Sequence, residues 1–337
     1  MKKPITIKDI AKSLNISVAT VSRALRDSSE ISKETKKAVL QLAKEMDYHP
    51  NLLARGLINK KSKIIGVVVP TINRQFWANS ISGIENAAFE DDYKVMIFQS
   101  SESYKKEVEI VETLANSRVD GILIAFSKET NDFDHIRHVM ERGIPVVLFE
   151  RVSDTLQVSK IVTDDFLGAK RVTQHLISRG KKKIAYLGGP LTLGVCRDRY
   201  LGFESALKES EIQVSPEHII ETDEFTFENA KKAIHQLWSN PSKPDAVFCF
   251  ADVLAIGALD ACKELGIKVP QQLAITGFGN DDTGRFINPT LTTMAQPSFE
   301  MGQLAAKLIL KEINATAELP LPKLEIIQPT LIVREST

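Results

Sequence analysis

Hydrophobic and polar positions change rhythm twice along the chain. From residue 6 to residue 46 the apolar positions fall at helical spacing in three short runs. In the first, Ile7, Ile10, Ala11 and Leu14 share one face, Thr6 and Asp9 form a capping pair at its start, and Ile5 is set against Ile10 as a staple. Asn15 and Ile16 make a turn. Ser17 then caps a second helix that buries Val21 with Ala24 or Leu25 and packs Val21 back on Ile16. Ser32 caps a third, with Val39, Leu42, Ala43 and Met46 on one side, which closes a three-helix unit. Pro50 pushes His49 out of helical geometry and ends it. Residues 51–58, NLLARGLI, make about two turns if helical, too short to persist alone in water, and Gly56 weakens them further.

From Ile64 the rhythm becomes strand, helix, strand. Apolar runs stand at Ile64–Val69, Val95–Gln99, Gly121–Ala125, Pro145–Phe149, Lys160–Thr163, Ile184–Leu187, Ala246–Phe250 and Leu273–Gly277. Helical periods such as Phe76–Glu90, Asp165–Ser178 and Asp252–Leu265 lie between them. This alternation predicts parallel sheets covered on both faces, in two similar lobes divided near residue 160.

The formal net charge of zero hides an asymmetry. Residues 1–60 hold twelve Lys plus Arg against six Asp plus Glu, leaving 31 basic and 37 acidic residues for the remainder. A basic head on an acidic body is the distribution expected of a nucleic-acid reader joined to a sensor. The 337 residues suffice for two or three folding units. Cys196, Cys249 and Cys262 are too few and too irregularly spaced for a disulfide framework or a zinc site, so each is read as a buried thiol. No secretory signal and no stretch long enough to span a bilayer is visible, so a cytoplasmic, nucleoid-associated location is expected.

The second helix turns Val18, Ala19, Ser22, Arg23 and Arg26 away from its buried side. A small, basic face on a helix braced by another suits the major groove, and the pair reads as a helix-turn-helix. The wording IKDIAKSLNISVATVSRALRD resembles the N-terminus of the lactose-repressor (LacI/GalR) family of bacterial transcription regulators, and HPNLLARGL, residues 49–57, resembles that family's hinge. The resemblance implies an all-α helix-turn-helix headpiece over residues 1–50, a hinge over 51–62, and an α/β periplasmic-binding-protein-like core of two doubly wound lobes over 63–337. By the same analogy the first lobe takes about 63–160 and 292–322, the second about 161–291 and 323–337, and the chain crosses between them three times. It further implies a homodimer on pseudo-palindromic double-stranded operator DNA, controlled allosterically by a small polar effector, a sugar above all. Release of DNA by the ligand is expected, with co-repression by a nucleobase or phosphorylated partner as the alternative.

The DNA-binding set is then Thr6, Ser17, Val18, Ala19, Thr20, Ser22, Arg23, Asn51, Ala54 and Leu57. Arg23 is the candidate for a bidentate pair with guanine, Val18 and Ala19 take the family's specificity positions, and Leu57 the place of its minor-groove wedge. The effector set is Phe76, Trp77, Glu150, Arg199, Asp252 and Asn280, at a cleft outside the carboxyl ends of the strands. One of Phe76 and Trp77 is expected to be plain packing, and Asp252 to cap its own helix or to bind ligand. Asp164 and Asp165 are read as helix caps. After Thr276-Gly277-Phe278 the family commonly has an acidic ligand contact, whereas Gly279-Asn280 stand here, with Asp281 and Asp282 one or two places on.

An enzyme is the rival class. GFGNDDTG, residues 277–284, misplaces the third glycine of a dinucleotide fingerprint, and His135 with His138 is read as two exposed histidines on a polar helix rather than a metal pair. No nucleophile elbow or phosphate-binding loop is present, so neither catalysis nor a cofactor or metal is expected. A transport binding protein would share the core but have no use for the head.

Overall fold

The computed structural model describes residues 5–25, 27–48, 61–315 and 320–337. The chain divides into two compact units, Met1–Ser62 and Lys63–Thr337.

In the first unit, α1 (Ile7–Ser13), α2 (Val18–Leu25) and α3 (Lys33–Glu45) enclose a small core. Each helix contributes one fully buried branched side chain, Ile10, Val21 and Val39, and one small one, Ala11, Ala24 and Ala43. At the start of α1 the Thr6 backbone N–H and hydroxyl both donate to Asp9 Oδ2, at 2.8 and 2.7 Å. Asn15 adopts a left-handed φ of 51°, which lets Ile16 N–H reach Ala11 O at 3.0 Å and stops α1. Ser17 Oγ accepts from Thr20 N–H at 3.0 Å and Ser32 Oγ from Thr35 N–H at 3.2 Å, so two serine caps set where α2 and α3 begin.

The second unit holds two six-stranded sheets. The first runs β11 (Leu324–Ile327), β5 (Ser159–Thr163), β4 (Val146–Phe149), β3 (Gly121–Ile124), β1 (Ile64–Val69), β2 (Lys94–Gln99), all parallel. The second runs β12 (Thr330–Ile332), β10 (Thr292–Ala295), β9 (Ala274–Gly279), β8 (Ala246–Cys249), β6 (Ile184–Gly188), β7 (Ile219–Glu221), with β12 alone antiparallel. All six residues of β1 are buried, as helices on both faces demand, while edge strand β2 stays largely exposed.

On the first sheet, α4 (Gln75–Glu90) and α12 (Ser298–Ile313) pack on one face and α5 (Tyr104–Asn116) and α6 (Asp134–Glu141) on the other. On the second, α7 (Asp165–Ser178) and α8 (Gly194–Glu209) oppose α9 (Phe227–Ser239) and α10 (Asp252–Glu264), and the short α11 (Thr283–Phe286) follows β9. Helices α4 and α12 meet backbone to backbone: a Cβ on Gly302 would lie 2.0 Å from Ser80 O, and one on Gly83 2.0 Å from Phe299 O.

The lobe boundaries differ from expectation. Strand β5 carries the first lobe to Thr163, Thr292–Ala295 belongs to the second sheet, and the return lies between Ala295 and Ser298. Leu324–Ile327 adds a parallel edge to the first sheet before β12 closes the second. These segments carry no long apolar run because they are short or edge strands with alternate residues in solvent. The three crossings themselves are present.

Candidate functional site

Helix α2 exposes Ser17, Val18, Ala19 and Arg23, with Thr20 and Ser22 half-buried beside them. The Ser17 and Thr20 hydroxyls pair at 2.8 Å, so both serve the cap. Arg23 is half exposed, with Nε 3.5 Å from Glu30 Oε2. Thr6 is exposed at the start of α1. Arg26, Asn51, Ala54 and Leu57 lie outside the described residues. Among the described residues the surface is therefore a helix face of short side chains carrying the accessible guanidinium of Arg23, the shape and chemistry that read base edges in a major groove.

Between the two lobes lies a cleft of about 540 Å³ at the carboxyl ends of the strands, where ligands of doubly wound sheets bind. Phe76 and Trp77 line it from the first turns of α4. Trp77 is the packing residue, buried edge-on against Phe149, while Phe76 stands edge-on to Trp77 with ring centroids 4.9 Å apart. Glu150 follows β4 in a left-handed conformation, φ 60°, and accepts from Gln296 Nε2 at 2.9 Å and Thr163 Oγ1 at 3.4 Å.

Arg199 is no surface ion pair. Its guanidinium, 3% exposed, lies between the rings of Phe278 and Phe250 at 3.7 and 4.3 Å from their centroids. It donates to Asp165 Oδ1 at 2.8 Å and Phe250 O at 2.7 Å and faces Glu150 Oε1 at 3.6 Å. Asp164 caps α7 through Leu167 N–H as expected, but Asp165 is the buried partner of Arg199. Burial pushes Asp165 up to about 7 against the pull of Arg199, and raises Glu150 as well. Burial works to strip the Arg199 proton too, yet Asp165 and Glu150 outweigh it and hold the guanidinium charged.

Asp252 lines the cleft without capping α10. Its Oδ1 accepts from Thr293 Oγ1 at 2.6 Å and its Oδ2 from Asp281 N–H at 2.7 Å, and burial pushes it up to about 7. Asn280 departs from expectation. Its φ of 59° turns the side chain away from the cleft, where Oδ1 accepts from Arg334 Nη2 at 2.7 Å. Asp281 takes its place on the cleft wall. His135 is also a correction. It is buried, with Nε2 3.1 Å from Glu107 Oε1, rather than exposed beside His138. Among the described residues no cluster suited to a metal is present. All three cysteines are free and buried, and burial pushes Cys196 and Cys262 up to about 12, which leaves them unreactive.

Residues with no periodic signal complete the cleft. Phe225 stacks on Phe250 at 4.6 Å and 21°. Its carbonyl accepts from Arg74 of the opposite lobe, and Lys128 Nζ reaches Asp223 O at 3.0 Å. Gln75 Oε1 accepts from Asp282 N–H at 2.7 Å, a third bond between the lobes.

The family profile "Bacterial regulatory proteins, lacI family" matches residues 6–51, and "Periplasmic binding proteins and sugar binding domain of LacI family" matches residues 62–328. The chain belongs to the LacI family. This LacI-family protein is 35% identical over 309 residues to the HTH-type transcriptional repressor CytR of Escherichia coli (strain K12), covering 92% of this chain and 90% of CytR. A solved transcriptional regulator CelR–cellobiose complex superposes with a TM-score of 0.76 at 26% identity, covering 99% and 100% of the two chains. The lac repressor dimer bound to operator and the anti-inducer ONPF shares the fold, with a TM-score of 0.87 at 24% identity and 99% of both chains covered. As a LacI-family member the protein is a DNA-binding transcriptional regulator with a ligand-binding core, and relatives such as CytR and the ribose operon repressor of Haemophilus influenzae are repressors rather than enzymes.

Proposed function

We propose that the protein is a homodimeric repressor whose two heads grip a near-palindromic operator, each reading one half-site through α2, and that a sugar or sugar derivative in the cleft releases it. Arg23 pairs with a guanine, Val18 and Ala19 meet thymine methyls, and Ser17, Thr20 and Thr6 lie along the phosphates. The 51–58 segments of two subunits fold together on the DNA, Asn51 against the backbone, Ala54 allowing close approach and Leu57 wedged in the minor groove. Phe89, Ile97 and Phe286 offer exposed apolar surface for the second copy to cover.

The observation that carries the reading is the set of bonds between the lobes. Arg74, Gln75, Lys128 and the Arg199–Glu150 contact join the two lobes across the cleft, so a ligand that binds one lobe arrangement better than another shifts a two-state element. By linkage, operator DNA must change ligand affinity by the same factor. The test is selection of a preferred duplex from random sequence by full-length protein, followed by Arg23→Ala. The variant is expected to lose about 1–3 kcal/mol of discrimination at one base pair per half-site, and unchanged preference there removes the assignment.

A further inference from the structure

We infer that Glu107, buried behind the cleft wall, is a positioning residue of the switch: it clasps the Ser127–Thr130 turn so that Lys128 reaches across the cleft and holds the second lobe. The regulatory half of this inference rests on the repressor reading above, and the clasp itself does not.

Glu107 stands in the first turn of α5 and is fully buried. Residues 127–130 follow β3 as a turn closed by Thr130 N–H on Ser127 O at 3.1 Å. The Glu107 carboxylate grips both ends of it. Its Oε2 accepts from the Ser127 N–H at 2.7 Å and the Ser127 hydroxyl at 2.8 Å, and its Oε1 from the Thr130 hydroxyl at 2.9 Å. His135 of α6, buried and edge-on to Tyr104 at 5.5 Å, places Nε2 3.1 Å from the same Oε1. A buried carboxylate that meets donors from a turn and a second helix, with no water competing, fixes them in one geometry.

The tip of the turn is seated as firmly. Lys128 N–H donates to Glu102 Oε2 at 2.8 Å, and Glu129 Oε2 accepts from the N–H of Tyr104, where α5 begins, at 3.1 Å. From that tip Lys128 Nζ spans to Asp223 O of the second lobe at 3.0 Å. The receiving loop, between β7 and α9, is braced through Glu224 O, which takes the Thr222 hydroxyl at 3.0 Å, Thr226 N–H at 3.0 Å and Asn229 Nδ2 at 3.1 Å. A lysine on a loose turn would spend most of such a bond on ordering itself, whereas here both sides are already ordered. The bond favours the lobe arrangement in which it is made, so Glu107 biases the equilibrium that ligand and operator share.

The experiment uses full-length protein in two arms. In the first, trace acetylation with acetic anhydride is read residue by residue by mass spectrometry, with exposed Lys208 as the internal standard. Glu107→Gln keeps the shape but offers one oxygen and turns an N–H2 group on the remaining donors. It is expected to speed acetylation of Lys128 relative to Lys208 by about fivefold, the worth of one net hydrogen bond. Thr130→Val, which removes a single donor at the rim of the clasp, is expected to act in the same direction by about twofold and is decisive if Glu107→Gln lowers the yield of folded protein. Lys128 reactivity unchanged in both variants overturns the clasp. In the second arm, affinity for the duplex selected from random sequence is measured without ligand. Lys128→Ala and Glu107→Gln are expected to shift it in the same direction by about three- to tenfold, and the double variant no further than Lys128→Ala alone. No shift with Lys128→Ala, or a further shift when Glu107→Gln is added to it, overturns the regulatory role, since a merely structural loss would add. If no duplex is preferred at all, the repressor reading fails, and the acetylation arm still decides the clasp.

Discussion

Arg199→Ala removes a cation buried between two buried carboxyls. The lost contacts are a 2.8 Å bond to Asp165, a 2.7 Å bond to Phe250 O, and two aromatic faces within 4.3 Å. Breaking a buried pair by deleting one partner costs about 3–5 kcal/mol, because the remaining charge stays desolvated. That is a large part of the stability of a typical domain. The loss depends on pH with a definite sign. Without Arg199, Asp165 and Glu150 have folded-state pKa values further above their unfolded values near 4, so the folded variant binds more protons than the unfolded chain. Its stability then falls as pH rises, by about 1.4 kcal/mol per pH unit for each carboxyl held protonated. Urea unfolding is expected to show the full deficit at pH 8 and roughly half of it at pH 5, and Arg199→Ala with Asp165→Asn is expected to recover part of it. A deficit equal at both pH values would refute the reasoning, since packing alone has no reason to titrate.

Three further outcomes follow from the same geometry. Gly302→Ala would drive a Cβ to 2.0 Å from Ser80 O, forcing α4 and α12 apart at a cost of about 1–3 kcal/mol, visible as a lower urea midpoint and altered fluorescence from Trp77. Asp252, pushed up to about 7, makes the folded state bind a proton that the unfolded chain releases near pH 4, so its contribution weakens stability as pH rises between about 4 and 7. Asp252→Asn is expected to flatten the stability–pH profile in that window, and an unchanged slope would count against the burial argument. Leu57→Ala is expected to weaken operator binding more than random-duplex binding, measured by competition at fixed salt, and equal losses would dismiss the wedge.

What the sequence made legible was whatever repeats along the chain. Three caps, at Thr6, Ser17 and Ser32, and the period of Ile10, Val21 and Val39 located the head, because local hydrogen bonds and one-sided burial leave a local signature. The strands buried on both faces were legible for the same reason. Edge strands such as Leu324–Ile327, half in solvent, were not. In the cleft, Arg199 and Trp77 were named through the family resemblance, but their partners were assembled by tertiary contact. Asp165 looked like a second cap because its position at the start of α7 suits one. Phe225 and Arg74 sit in aperiodic loops, and the φ of Asn280 that turns it toward Arg334 is invisible in composition.

The three crossings between lobes carry a consequence for biosynthesis. Met301, Ala305, Ala306 and Ile309, near the end of the chain, complete the core of the lobe that begins at Ile64, and β12 closes the sheet that begins at Ile184. On the ribosome the head can therefore mature while both halves of its regulator wait for their last pieces. A message cut short before residue 298 would leave a finished head joined to two unfinished lobes.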